Sequence, residues 1–91
     1  MKIDVHLIYA DAVRIAERLG YRVVLDWIDG CGGGRYEAMA SEWIMLDRGA
    51  TIEDRLGQLL AVLEADQRIL AVPLPARLVA AMSGQPRGMA A

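Results

Sequence analysis

The sequence predicts an α+β fold, in which a small, largely antiparallel sheet of three strands packs against two helices and a short C-terminal helix closes one side. Two segments with apolar residues at helical spacing flank a middle part rich in β-branched and aromatic residues. A run of glycines divides that middle part. The 91 residues suit one domain, expected over residues 1–84 and followed by a loose tail over 85–91.

The first segment predicts a helix that starts after Asp4 and stops at Gly20. The Asp4 carboxylate can accept the unpaired amide hydrogens of a first turn, and Gly20 suits the left-handed conformation that ends many helices. Residues 3–9 also alternate between apolar and polar, which leaves a strand as the competing interpretation of the start. The later spacing favours the helix, because one stripe holds Ile8, Ala12, Ile15, Ala16 and Leu19.

The middle part predicts a strand over 21–28 and, after the glycine run, a hairpin. We expect hairpin strands over 36–40 and 43–46, with a turn at Ser41 and Glu42. The second arm is the more hydrophobic and should lie inside the sheet. In the first strand, the face expected to meet the helices carries Tyr21, Val23, Leu25 and Trp27.

Thr51 begins the strongest predicted helix. Thr51 followed by Asp54 resembles a capping box, and acidic residues in a first turn suit the positive end of the helix dipole. We expect this helix to continue to about Leu70, and a short helix to follow the prolines over 76–82. The buried stripe of the helix that begins at Thr51 is expected to hold Ile52, Leu56, Leu59, Leu60 and Leu63.

Composition argues against several classes of function. The net charge is −2 and the ten basic residues are dispersed, whereas nucleic-acid binders usually concentrate positive charge on one face. Cys31 is the one cysteine, so no disulfide can form within the chain. No apolar run reaches about 18 residues, and the start lacks the features of a signal peptide. We therefore expect a cytoplasmic protein without a membrane helix.

Several short motifs resemble the ImmA/IrrE group of small zinc metallopeptidases. In that group a leucine–glycine pair leads into a strand, a "G-x-Y" hairpin closes on an "I-x-L" strand, and a threonine-started helix follows. The resemblance covers about residues 10 to 70. The matching residues here are Leu19, Gly20 and Val23, then Gly34 and Tyr36, then Ile44 and Leu46, and finally Thr51 and Arg55.

The chain departs from this group at the catalytic motif. The resemblance implies a His-Glu-x-x-His motif, whose histidines bind zinc and whose glutamate activates water. Counting from Thr51 puts the motif within residues 61–66, where the candidate positions hold alanine, valine, leucine and aspartate. The single histidine, His6, is distant in sequence. We therefore expect a member of the fold that is not an enzyme and binds no metal or cofactor.

Other chemistry has weaker support in the sequence. A metal site built from His6, Glu64 and Asp66 has no recognised ligand spacing, and the ordinary expectation is that both acids face solvent. The glycine run leads into a strand rather than a helix, so it suits a flexible loop better than a phosphate cradle. Cys31 lacks an evident activating partner and is expected to be inert.

The remaining hypothesis is a protein-binding function. Trp27, Arg35, Tyr36 and Trp43 are the candidate partner-binding residues, since tryptophan, tyrosine and arginine dominate binding hot spots. Packing within the sheet is the plainer explanation of the aromatic residues. Members of the ImmA/IrrE group often accompany regulators in prophages and mobile elements, so the resemblance implies a regulatory interaction of a protein encoded by a phage or mobile element. The alternatives are a small hydrolase with an unrecognised site and a structural homodimer subunit.

Overall fold

The computed structural model describes residues 4–26 and 34–83. Together they form a two-layer α+β arrangement, which confirms the predicted fold class. None of the helices in these two ranges is long and apolar enough to cross a membrane. The elements are α1 (Val5–Arg18), β1 (Tyr21–Asp26), β2 (Gly34–Ala38), β3 (Ser41–Asp47), α2 (Ile52–Ala65), a 3₁₀ turn (Gln67–Ala71) and α3 (Ala76–Ser83).

Helix α1 is confirmed over the competing strand. The Asp4 carboxylate accepts hydrogen bonds from the amides of His6 at 3.0 Å and Leu7 at 3.3 Å, as an N-cap does. Gly20 follows the helix with φ of +103°, a conformation that glycine adopts readily, and its amide donates to the carbonyl of Glu17. Local capping chemistry therefore fixes both ends of α1.

The sheet has the strand order β1-β3-β2 and is mixed. Strand β3 pairs antiparallel with β2 and parallel with β1, so the hydrophobic arm of the hairpin lies in the centre, as predicted. Of the predicted strand over 21–28, the part up to Asp26 is confirmed. Trp27, the glycine run with Cys31 and the tail over 85–91 lie outside the described residues.

The predicted hairpin turn at Ser41 and Glu42 is wrong. Met39 and Ala40 form the turn instead, with φ of +53° and +63°. Two successive positive φ values match a type I′ turn, whose twist suits a hairpin, although asparagine and glycine usually supply it. The earlier turn makes Glu42 part of β3, where it pairs with Tyr21 of β1. Pairing with β1 thus outweighs the local preference for turn residues.

Helix α2 begins as predicted and ends earlier than predicted. The Thr51 hydroxyl accepts from the amide of Asp54 at 3.1 Å, which confirms the cap. The helix stops at Ala65 rather than near Leu70, because Asp66 adopts an extended backbone with φ −97° and ψ 116°. Its carboxylate then accepts from the amide of Arg68 at 2.9 Å and so caps the 3₁₀ turn.

The core lies between the helices and one face of the sheet. One buried acid, Asp11 of α1, is 2% exposed and binds Arg77 of α3 at 2.5 and 3.1 Å and Arg14 at 2.6 Å. This cluster ties the confirmed short helix α3 to α1. The fully buried apolar residues, at 0% exposure, are Ala12, Ala16, Ile44, Leu46, Leu59, Leu63 and Leu78.

Replacing Leu59 by alanine should lower the free energy of unfolding by about 2–5 kcal/mol, because the side chain is fully buried and a cavity would remain. Chemical denaturation monitored by circular dichroism would measure the change. Leu70→Ala is the matched control, since Leu70 is 87% exposed and should change stability by less than about 0.5 kcal/mol. Equal losses in the two variants would contradict this assignment of the core.

Candidate partner-binding surface and polar cleft

The outer face of the sheet, opposite the helices, carries a row of large side chains. Strand register places Arg22, Trp43 and Tyr36 side by side across the three strands. The rings of Tyr36 and Trp43 are nearly parallel, with centroids 6.1 Å apart and planes 12° apart. The Arg22 guanidinium carbon lies 5.4 Å from the centroid of the Trp43 ring. We call Arg22, Trp43 and Tyr36 the aromatic row.

The aromatic row is ordered by contacts within the sheet. The indole Nε1 of Trp43 donates to the carbonyl of Ala38 at 3.2 Å, which fixes the ring against the end of the hairpin. None of the three residues belongs to the core cluster formed by the described part of the chain. The row is therefore packed internally while it leaves Tyr36 37% exposed.

The tip of the hairpin carries an exposed apolar side chain, three residues after Tyr36 in the sequence. Met39 is 91% exposed and holds a positive φ, a conformation that costs a residue with a Cβ roughly 1–2 kcal/mol. Its neighbour Ala40 carries the same backbone strain. Met39 thus combines a strained backbone with an apolar side chain that gains little from the fold itself.

The structure brings together two of the four predicted partner-binding residues. Tyr36 and Trp43 are adjacent on the outer face. Arg35 lies on the opposite face, because successive side chains of a strand alternate between faces and Arg35 pairs with the buried Ile44. Trp27 lies outside the described residues. The alternation of successive side chains along β2 is the sequence feature that separates Arg35 from Tyr36.

The helix-facing side of the sheet carries a continuous polar chain. Arg35 Nη2 donates to Glu37 at 2.7 Å and to Glu42 at 2.8 Å. The other carboxylate oxygen of Glu42 accepts from Arg68 Nη2 at 2.9 Å. Arg68 also binds both oxygens of Asp66, and the Tyr21 hydroxyl donates to Asp66 at 2.6 Å. The polar chain is Glu37, Arg35, Glu42, Arg68, Asp66 and Tyr21.

A cleft of about 590 Å³ opens between this polar chain and the end of α2. Its helical wall includes Ala61, Val62, Ala65 and Asp66. These positions fall within residues 61–66, where the resemblance to the ImmA/IrrE group would place the zinc-binding motif. The wall here offers three hydrocarbon side chains and one carboxylate that is already paired.

The charges along the polar chain stabilise one another. Hydrogen bonds from Arg68, and then from Tyr21, hold the pKa of Asp66 well below its ordinary value despite its burial. Hydrogen bonds from Arg35 and Arg68 also lower the pKa of Glu42. Burial, followed by the hydrogen bond to Asp66, raises the pKa of Tyr21. Both carboxylates are therefore ionised and paired at neutral pH.

The expectation that Asp66 faces solvent is wrong, because its side chain is only 9% exposed and binds Arg68 and Tyr21. Within residues 4–26 and 34–83, no three histidine, cysteine or acidic side chains are arranged to hold a metal ion. The structure therefore does not bring His6, Glu64 and Asp66 together as a set of metal ligands. Tyr21, Glu42 and Arg68 were not predicted from the sequence as members of this site. The available signal was the spacing of Asp66 and Arg68, which are two residues apart.

Comparison with protein-family models, curated proteins and solved structures gives no match to this chain. The relationship to the ImmA/IrrE group therefore remains a prediction from the short motifs.

Replacing Asp66 by asparagine should destabilise the protein at neutral pH, while asparagine keeps the ability to cap the 3₁₀ turn. The folded-state pKa of Asp66 lies below its unfolded value of roughly 3.9, so the ionised carboxylate stabilises the fold above about pH 5. That contribution is lost as the pH falls and the carboxylate is protonated. The difference in unfolding free energy between wild type and Asp66→Asn should therefore shrink on acidification.

Urea unfolding at a series of pH values between about 3 and 7 would measure this difference across the window set by the unfolded pKa. Glu17→Gln, on the exposed side of α1, is a suitable control for the loss of one negative charge. A difference for Asp66→Asn that stayed constant over this range would mean that ionisation of Asp66 is not what stabilises the fold.

Proposed function

We propose that this chain is a non-catalytic protein-binding module whose main contact is the tip and outer face of the β2–β3 hairpin. The observation that carries the proposal is Met39, an apolar side chain that is 91% exposed on a strained type I′ turn. The anchor of the interface would be Met39, and the aromatic row would extend the contact across the sheet.

The strain at the turn supports a functional choice of residue. Asparagine or glycine at this position would relieve the positive φ, and a polar side chain would suit the exposed tip. Methionine does neither in the isolated chain. Burying a methionine side chain against a partner stabilises a complex by about 1.5–3 kcal/mol, and its flexible thioether adapts to an apolar pocket. The expected partner therefore presents such a pocket.

The aromatic row supports the same proposal, because its side chains are already held in place before binding. Stacking between Tyr36 and Trp43 and the hydrogen bond from Trp43 to Ala38 restrict both rings. A partner that packs on restricted side chains loses less conformational entropy than one that must order them. Tyrosine, tryptophan and arginine are also the residue types that contribute most to binding hot spots.

The polar chain favours binding over hydrolysis. General acid–base catalysis works best with a group whose pKa lies near the working pH. The arginines lower the pKa values of Asp66 and Glu42, and each carboxylate is engaged in hydrogen bonds. These paired charges suit a structural role beneath the binding surface.

The regulatory part of the proposal rests on the resemblance to the ImmA/IrrE group. A chain that keeps such a scaffold and has hydrocarbon side chains at the metal positions would act by occupying a partner rather than by cutting it. A regulatory or inhibitory protein of a phage or mobile element fits this description. Zinc-dependent cleavage of a partner by the purified chain would contradict it.

Met39→Asn should weaken partner binding by about ten- to a hundredfold, because the buried methionine would be lost, while relief of the positive φ should keep or raise stability. Affinity capture from the native host with quantitative mass spectrometry would identify the partner, and calorimetry would then measure its affinity. Leu70→Asn is the matched control, since it makes an equally drastic change at a side chain that is 87% exposed and lies outside the hairpin. Equal recovery of every captured protein by Met39→Asn and wild type would overturn the proposal.

A further inference from the structure

Strand β2 lies at an edge of the sheet, with β3 as its only hydrogen-bonded neighbour among the described strands. In a type I′ hairpin the residues that close the turn exchange both backbone hydrogen bonds, and bonded and non-bonded pairs then alternate. Ala38 and Ser41 close this turn, so Tyr36 and Gly34 also direct their backbone groups towards β3. The N–H and C=O groups of Arg35 and Glu37 consequently point out from the sheet.

These outward groups suit pairing with the same strand of a second molecule. An antiparallel two-fold arrangement centred on Tyr36 sets Arg35 of each copy opposite Glu37 of the other. Each of these two pairs can exchange two backbone hydrogen bonds, and each also places opposite charges across from one another. The neighbouring two-fold registers, shifted by one residue either way, would oppose Arg35 with Arg35 or Glu37 with Glu37. Charge therefore selects the register centred on Tyr36.

The side chain at the centre of this register also fits. Tyr36 would meet its own counterpart in a non-hydrogen-bonded pair, where opposite side chains are closest and aromatic pairs are favourable. Tyr36 lies on the outer face, at the end of the aromatic row nearest the edge. The two rows would then join into one continuous row across six strands.

We propose that the occupant of this edge is a second copy of the chain, which forms a homodimer through antiparallel pairing of β2 with β2. Charged residues at a sheet edge often prevent such pairing. Here Arg35 and Glu37 lie on the same side of the strand, and their side chains are 43% and 65% exposed. Like charges of the two copies would therefore repel in the shifted registers, and opposite charges would attract in the register centred on Tyr36. The inference is independent of the function proposed for Met39, which lies outside the paired segment Gly34–Ala38.

A charge-exchange experiment tests both the dimer and its register. Sedimentation equilibrium at protein concentrations up to about 1 mM should show wild type dimerising. Arg35→Glu places a carboxylate opposite Glu37 of the second copy, and Glu37→Arg places two guanidinium groups opposite each other. Each variant alone should dimerise roughly tenfold more weakly or worse. An equimolar mixture of the two variants should associate again, because every cross-strand pair regains opposite charges.

Glu37→Pro provides a second variant with a different mechanism, since it removes an outward N–H and leaves the bonds to β3 in place. It should abolish dimerisation while circular dichroism shows the fold retained, and Met39→Asn should dimerise like wild type. A wild-type chain that stays monomeric, and so leaves the edge to a strand of another protein, would overturn the proposal. So would dimerisation that survives both charge reversals, or a mixture of the two that fails to associate.

Discussion

The hydrogen bonds of the Arg68 guanidinium are the interactions on which the arrangement of α2, the sheet and the cleft depends. The guanidinium donates to the carbonyl of Leu19 at 3.0 Å, to Glu42 of β3 at 2.9 Å and to Asp66 at the end of α2. Its central carbon also lies over the ring of Tyr21, 5.3 Å from the ring centroid. Only a planar cation with several donors in fixed directions can hold four segments in this way; a lysine ammonium would lack the fork geometry.

The pairing of Asp66 with Arg68 explains why α2 ends at Ala65 and covers no more of the sheet. The Asp66 carboxylate caps the 3₁₀ turn and pairs with Arg68 and Tyr21, so the backbone leaves the helix at this residue. A helix that continued to Leu70 would carry Asp66 and Arg68 round its surface and separate them from Glu42. The early end of α2 therefore leaves a cleft lined by charge on one side and by small apolar residues on the other.

The elements that could be predicted from sequence are those whose cause is local. The caps at Asp4 and Thr51 and the apolar stripe of α1 depend on residues within one or two turns, and they were predicted correctly. Of the stripe predicted for α2, Leu56, Leu59 and Leu63 are buried, whereas Ile52 and Leu60 are only half-buried. The hairpin turn and the end of α2 depend on partners far along the chain: Tyr21 for Glu42, and Arg68 with Tyr21 for Asp66. The same distinction applies to the candidate site. The alternation of side chains along β2 separates Arg35 from Tyr36 and could be predicted from sequence, whereas the polar chain depends on tertiary contacts and could not.

The position of the turn decides what the outer face of the sheet can present. A two-residue turn at Ser41 and Glu42 would pair Ala40 with Trp43, and Tyr36 would then lie opposite Asp47. The aromatic rings would be separated along the hairpin, and Tyr36 would no longer lie beside Trp43, while Arg22 would keep its place because its pairing with Trp43 belongs to β1 and β3. The turn at Met39 and Ala40 instead aligns all three side chains in one row, at the cost of two strained residues. Strain at the tip and order on the outer face are thus two consequences of one register, which the pairing of β3 with β1 imposes.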